Sequence, residues 1–427
     1  NLERIMKSSF KFTNITNHYI LIFLILYLTV LLGIYFNEDN LGGAAHDSIY
    51  HFIIVQKFNE NFFYTFSNFG KHELGLGTRN SPIFWVFISL FSKFLSFDLI
   101  RILNSLIIFA TAIVFYKCLV IKFKNFNNFS LIILASIIFL SPSLRSLVIW
   151  PYSLSWGLFF FILSIYYYLK YQNNFNLKSS LLILINVIFS AYIYPSFSVF
   201  YIFYFFKIIN RTKNTVLAIK ILFLSFVLSL PCLIYLVSTD FLKIFESAQG
   251  VGVSVTQSLN ISNKILIIGT MILYFLMPIV NIKEVFHKIN TINKNYLFMV
   301  FVFCLTNIYF FNFPHSTWGG GFFHKVSNII FDNNYLFFAF SILSIFIIYS
   351  IIEKNFNNYL LLIILILFNP QLTIYVKYFD PLIFILFLTL FDFNLKKHFF
   401  EKTYAIYQFY SVIFFYYLVV YIKIIFF

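Results

Sequence analysis

Long apolar runs recur from one end of this chain to the other, broken only by short polar links. Such runs read as membrane spans or as helices buried in a bundle, because a span takes roughly 17 to 25 mostly apolar residues and shorter runs can be tilted or broken. About thirteen segments fit: 18–35, 101–120, 130–143, 154–169, 180–193, 196–206, 221–237, 265–280, 296–311, 335–352, 359–368, 381–391 and 404–422. Of the 427 residues, 61% are hydrophobic and only 11% charged, where soluble domains carry about a quarter. The expected fold is therefore all-α: a polytopic membrane protein of about 11 to 13 helices forming one transmembrane domain over residues 1–427, with no separate soluble domain. Disorder, collagen and a disulfide scaffold do not fit 13 Gly, 9 Pro and 3 Cys.

The net charge of +15 does not point to nucleic acid, because the basic residues are spread thinly between apolar runs rather than clustered. It reads instead as orientation, since Lys and Arg collect in short cytoplasmic loops. With the N-terminus inside, the inner segments hold nineteen Lys and Arg against five acids, while the outer ones hold ten of each. This partition decides the segment 82–97. It is apolar enough to span, but spanning would turn every later basic loop outward, so it is expected as an external interfacial or re-entrant helix. The first external loop then runs from about Phe36 to Ile100, long enough to be functional. No small-residue cleavage site follows the first apolar run, so a cleavable signal is not expected. Cys118, Cys232 and Cys304 lie in or beside separate runs and suggest lone thiols.

Within that loop, Asn40-Leu-Gly-Gly-Ala-Ala-His-Asp-Ser-Ile-Tyr-His51 leads into apolar residues at helical spacing. Asp47 can cap the helix that follows. Asp47 and His51 also stand four apart and so share a helix face, where a carboxylate and an imidazole can act as a general base with its orienter or as two metal ligands. Spacing alone does not choose between these.

The series Asp47, Tyr50-His51, Gln56, then Thr78-Arg79-Asn80-Ser81-Pro82 before an apolar helix, resembles the first luminal loop of GT-C fold glycosyltransferases. Within that group it is most similar to the α-1,2-glucosyltransferase family of lipid-linked oligosaccharide assembly. Ser48 stands where that family has a second acid. A weaker echo runs from Asn369-Pro370 to Lys377-Tyr378. The resemblance covers about a tenth of the chain. It implies a GT-C-like bundle, a polyprenyl-phosphate sugar as donor, a lipid-linked or cell-surface glycan as acceptor, and a site on the outer face of a bacterial cytoplasmic membrane.

Phosphate is already a good leaving group, so such a site needs a base for the acceptor hydroxyl and cations for the departing phosphate. Asp47 is the expected base of an inverting displacement, with His51 and Gln56 as substrate-binding residues. The phosphate candidates are Arg145, Lys377, Lys325 and Arg79. Against them stand plainer roles: Arg145 snorkelling to headgroups, Lys377 pairing with Asp380, and Arg79 with His72 and Glu73 forming a solvated surface. The glycines after Trp318, between His315 and Lys325, could bring backbone N–H groups to a phosphate or simply make a flexible loop. No cofactor is required; His51 leaves a divalent metal open. The competing classes are a polysaccharide flippase or transporter, which tends to show repeats and mid-span charges, and an O-antigen-type polymerase, whose large loop usually comes late. Neither pattern is seen here.

Overall fold

The computed structural model describes residues 2–40, 43–71, 74–76, 81–124, 126–174, 176–212, 215–238, 260–277, 282–291, 293–313, 319–369, 373–392 and 403–426. These are helical, with no β-strand among them. In chain order the helices are α1 (Leu2–Tyr35), α2 (Ala44–Glu60), α3 (Phe62–Ser67), α4 (Pro82–Ser92), α5 (Phe97–Lys122), α6 (Asn128–Ser136), α7 (Pro142–Ile149), α8 (Ser153–Asn173), α9 (Leu177–Ile193) and α10 (Phe200–Thr212). They continue with α11 (Thr215–Ser238), α12 (Ile261–Leu276), α13 (Ile282–Thr291), α14 (Lys294–Tyr309), α15 (Gly321–Phe331), α16 (Tyr335–Ile351), α17 (Phe356–Leu367), α18 (Leu382–Thr389) and α19 (Thr403–Phe426). Each apolar segment read from the sequence overlaps one of these helices, although α1 begins sixteen residues before the first segment and residues 278–280 lie outside the described residues.

Two breaks between helices have local causes. Pro195 ends α9 at Ile193 and starts a 3-10 turn over Pro195–Val199, as a ring without an N–H must. α6 tightens into a 3-10 turn at Ile137–Leu140, and Pro142 then starts α7 at 59° to it. The Ser141 hydroxyl caps α7 by accepting from the Leu144 N–H. The link after the apolar segment 130–143 is therefore not an open turn: it is the eight-residue helix α7, buried at every position.

Among the described residues two helices are long and apolar enough to cross a bilayer alone, α5 and the stretch Ala218–Tyr235 of α11; the bent α6–α7 pair would be a third. The other apolar helices are shorter, among them α9, α12, α16 and α17. Several helices are nonetheless apolar on both sides. On α1, Phe23, Tyr27, Val30 and Ile34 are buried against the protein, while Leu21, Leu24, Ile25, Leu28 and Leu32 lie exposed. α14 exposes Phe298, Met299, Phe301, Phe303 and Leu305. A helix apolar all round suits either a protein core or a membrane span.

One large apolar core runs through the bundle, and a smaller one forms in the first long loop, where Ile54, Val55, Phe58, Phe69, Phe84, Trp85 and Ile88 pack together. That loop is thus a folded cap of α2, α3 and α4. The eleven residues of α4 reach only about 16 Å at 1.5 Å per residue, short of the roughly 30 Å hydrocarbon core.

Candidate functional site

α2 begins at Ala44, where Gly43 takes the left-handed φ of 107°. The helix is opened by Asp39, whose carboxylate accepts from the N–H groups of Gly43, Ala44 and Ala45 at 3.0 to 3.3 Å. Capping is therefore not the work of Asp47, one turn further on. Its carboxylate meets the Lys377 ammonium at 3.2 Å across 330 positions of sequence, with side-chain exposures of 36% and 17%. Asp47 is thus an acid left a third open beside a sheltered cation, an arrangement that Lys122 and Asp392 share at 3.4 Å with exposures of 15% and 37%.

Lys377 sits in a 3-10 turn, Val376–Tyr378, and its Nζ lies 5.3 to 5.9 Å from the ring centres of Tyr152, Tyr375 and Tyr378. Burial works against its charge, but Tyr152, Tyr378 and Asp47 more than offset this, and its pKa lies above the ordinary lysine value. Asp47 is the carboxylate in direct contact with it.

The turn is fixed from two sides. Gly319, Gly320 and Gly321 all take left-handed φ (109°, 85° and 77°), and the Gly320 N–H donates to the Ile374 carbonyl at 3.0 Å. A Cβ on Gly319 would come within 2.6 Å of that same oxygen. These glycines therefore serve backbone packing under the Lys377 segment rather than a flexible loop. On the other side Asp380, 5% exposed, accepts from the Ser143 N–H at 3.4 Å. Burial raises its pKa to about 6 against the lowering effect of Ser141 and Ser143. Lys377 is thus drawn to Asp47, and Asp380 to the start of α7.

No protein-family model, curated protein or solved structure matches this chain significantly. The functional reading must come from the site.

His51 is buried one turn from Asp47, stacked on Trp85 with ring centres 4.3 Å apart and 5.8 Å from Tyr152. Burial pushes its pKa down to about 4, with Asp47 opposing and Lys377 assisting, so the ring is neutral near pH 7. Gln56 is exposed, nine residues along from Asp47. At 100° per residue that is the opposite face, roughly 13 Å away along the axis, so α2 does not bring Gln56 to the pair. Lys325 is exposed on α15. Arg79, with His72, Glu73, His315 and Trp318, lies outside the described residues.

Arg145 proves to be committed elsewhere. It is 2% exposed, and its five N–H donors have partners: two reach Glu38 at 2.8 and 2.5 Å, and the others reach the Thr29 hydroxyl, the Thr29 carbonyl and the Phe139 carbonyl. Neither headgroup snorkelling nor phosphate binding suits a fork filled in this way. Arg101 does similar structural work, donating to the Ile34 and Ile149 carbonyls and lying 3.9 Å from the centre of the Trp150 ring.

Among the described residues no three His, Cys, Asp or Glu side chains gather as a metal centre would. The cavity beside Lys377, walled by Leu144, Leu147, Leu154, Leu158 and Phe197, has about 10 Å³ of free volume, room for a single water. Any larger molecule would have to approach from the open side of the Asp47 carboxylate.

Proposed function

We propose that this chain is a multi-pass membrane glycosyltransferase of the GT-C type, acting from the first long loop on the outer face of a cytoplasmic membrane. Its donor is a polyprenyl-phosphate sugar and its acceptor a lipid-linked or cell-surface glycan. The membrane reading is supported by two span-length helices and by apolar faces turned away from the protein on α1 and α14.

The observation that carries the chemistry is the Asp47–Lys377 pair, half-open and walled by tyrosines. Asp47 takes the proton of the acceptor hydroxyl. The oxygen attacks the anomeric carbon, and the carbon–oxygen bond to phosphate breaks with its electron pair on the phosphate. Lys377 meets that growing negative charge, and the tyrosine faces offer flat apolar walls to a sugar. An incoming phosphate competes for Lys377, and as the cation turns to it the Asp47 carboxylate is released to act as base. A single displacement inverts the anomeric centre.

The test is transfer from a polyprenyl-phosphate sugar by protein in lipid nanodiscs, comparing the natural chain with Asp47→Asn. Transfer should fall at least a thousandfold while the thermal unfolding midpoint stays within a few degrees. Residual transfer above a tenth of the natural rate would remove Asp47 as the base.

A further inference from the structure

Among the described residues three Lys or Arg residues are fully buried: Arg101, Arg145 and Lys264. Arg101 has Asp98 at 3.2 Å and Arg145 has Glu38. Lys264, 3% exposed, has no carboxylate and no hydrogen-bond partner for its ammonium among those residues. It also stands in the first turn of α12, opened by the Asn260 side chain accepting from the Asn263 N–H. A cation is misplaced there, because the unsatisfied N–H groups and the helix dipole already make that end positive. A buried charge without a counter-charge is strongly destabilising, and in so apolar a chain a leucine would fill the position without that cost.

Among the described residues the surroundings supply donors and no acid. Asn312 Oδ1 accepts from the side-chain amides of Asn260 and Asn263 at 2.6 and 2.9 Å, and the Asn312 N–H donates to Asn263 Oδ1 at 3.0 Å. That lattice ties the segment after α14 to the first turn of α12. It uses Asn312 as acceptor and backbone donor and leaves its side-chain N–H₂ uncommitted among the described residues. We infer that Lys264, with the Asn312 amide and the N-terminal end of α12, forms a phosphate-binding site separate from the Asp47–Lys377 pair. The shared chemistry is a phosphate ester, supplied either by an anionic lipid headgroup or by a water-soluble phosphorylated ligand.

The test measures the thermal unfolding midpoint of the full chain in nanodiscs of phosphatidylcholine, in nanodiscs that also contain phosphatidylglycerol, and in phosphatidylcholine nanodiscs with sodium pyrophosphate against sodium chloride of equal ionic strength. Near saturation the anion should raise the midpoint by about 3 °C or more. A response to phosphatidylglycerol assigns the site to a headgroup, and one to pyrophosphate assigns it to a soluble ligand. Lys264→Arg should keep the response. Lys264→Met should lose it and be no less stable than the natural chain in phosphatidylcholine alone; if it does not fold, Lys264→Gln replaces it. The inference is overturned if the natural chain responds to neither anion, if the uncharged variant keeps the response, or if that variant is markedly less stable without anion. Lys377→Met, which removes the phosphate cation of the transferase reading, should leave the Lys264-dependent response in place, so this site and that reading stand or fall separately.

Discussion

The Asp47 carboxylate and the Lys377 ammonium lie 3.2 Å apart, joining the first turns of α2 to a 3-10 turn more than three hundred residues later. Each is the other's charge partner among the described residues, and both turns lean on α7. On the proposed reading the same cation balances the acid at rest and meets a departing phosphate.

This double duty separates two lysine substitutions. Lys377→Met should lower kcat of transfer by roughly tenfold to a hundredfold, since a charge-assisted hydrogen bond contributes about 1.5 to 3 kcal/mol. Lys377→Arg should retain most of that rate if point charge is what counts, and raise KM because the fork does not fit between Tyr152 and Tyr378. Steady-state kinetics with donor varied separates the two effects; equal kcat in Lys377→Met would end the phosphate role.

The Glu38–Arg145 pair should behave in the opposite way. Both partners are nearly fully buried, so removing one leaves an uncompensated charge. Arg145→Ala should destabilise the protein by about 3 to 5 kcal/mol, whereas Arg145→Met with Glu38→Gln should recover much of that loss. Unfolding in detergent measures it. A soluble, stable Arg145→Ala protein with only a raised donor KM would restore Arg145 as a phosphate ligand.

Two groups near the site give opposing pH dependence. The Asp380 pKa is raised to about 6, so the folded state holds its proton longer than the unfolded chain does. That contribution to stability is present at low pH and is lost as pH rises from about 4 through 6. His51 is lowered to about 4 from 6.5, so its contribution is full above 6.5 and is lost as pH falls toward 4. The two slopes partly cancel in the natural chain. Asp380→Asn should remove the first, leaving a protein whose unfolding midpoint climbs from pH 4 to 6.5 more steeply than the natural one. An unchanged profile would place Asp380 in a less buried setting than it occupies here.

The helices were legible because each apolar run carries its own signal, and the gap between the runs 180–193 and 196–206 falls at Pro195; the break at Pro142 was not legible, since the run 130–143 passes through it. The pairing of Asp47 with a cation was legible only as a set of candidates, since nothing in the sequence says which of Arg145, Lys325 and Lys377 folds back onto α2. Glu38-Asp39 shows why. Two adjacent acids in one link take unrelated tasks, Glu38 filling the Arg145 fork and Asp39 capping α2. Only the direction of the chain after α1 assigns them. Tyr152 was missed for a similar reason: one tyrosine among thirty stands out only when its ring lies over Lys377. The opposite error befell Gln56, whose helical phase already turned it away from Asp47.

The glycines at 319 and 320 offer the cleanest separation of positioning from folding. A methyl on Gly319 would meet the Ile374 carbonyl at 2.6 Å, and one on Gly320 would run into His324. Both positions also take a φ that L side chains disfavour. The strain falls on the buried segment leading to Lys377. Gly319→Ala should therefore cost about 1 to 3 kcal/mol of stability but more than tenfold in kcat, because a shift of about 1 Å at a charged group near the reacting bond is enough for that. A distance probe between α2 and the 376–378 turn, such as paired spin labels, should report the displacement directly. Full activity in Gly319→Ala would mean that the Lys377 turn is held by Asp380 and α7 alone.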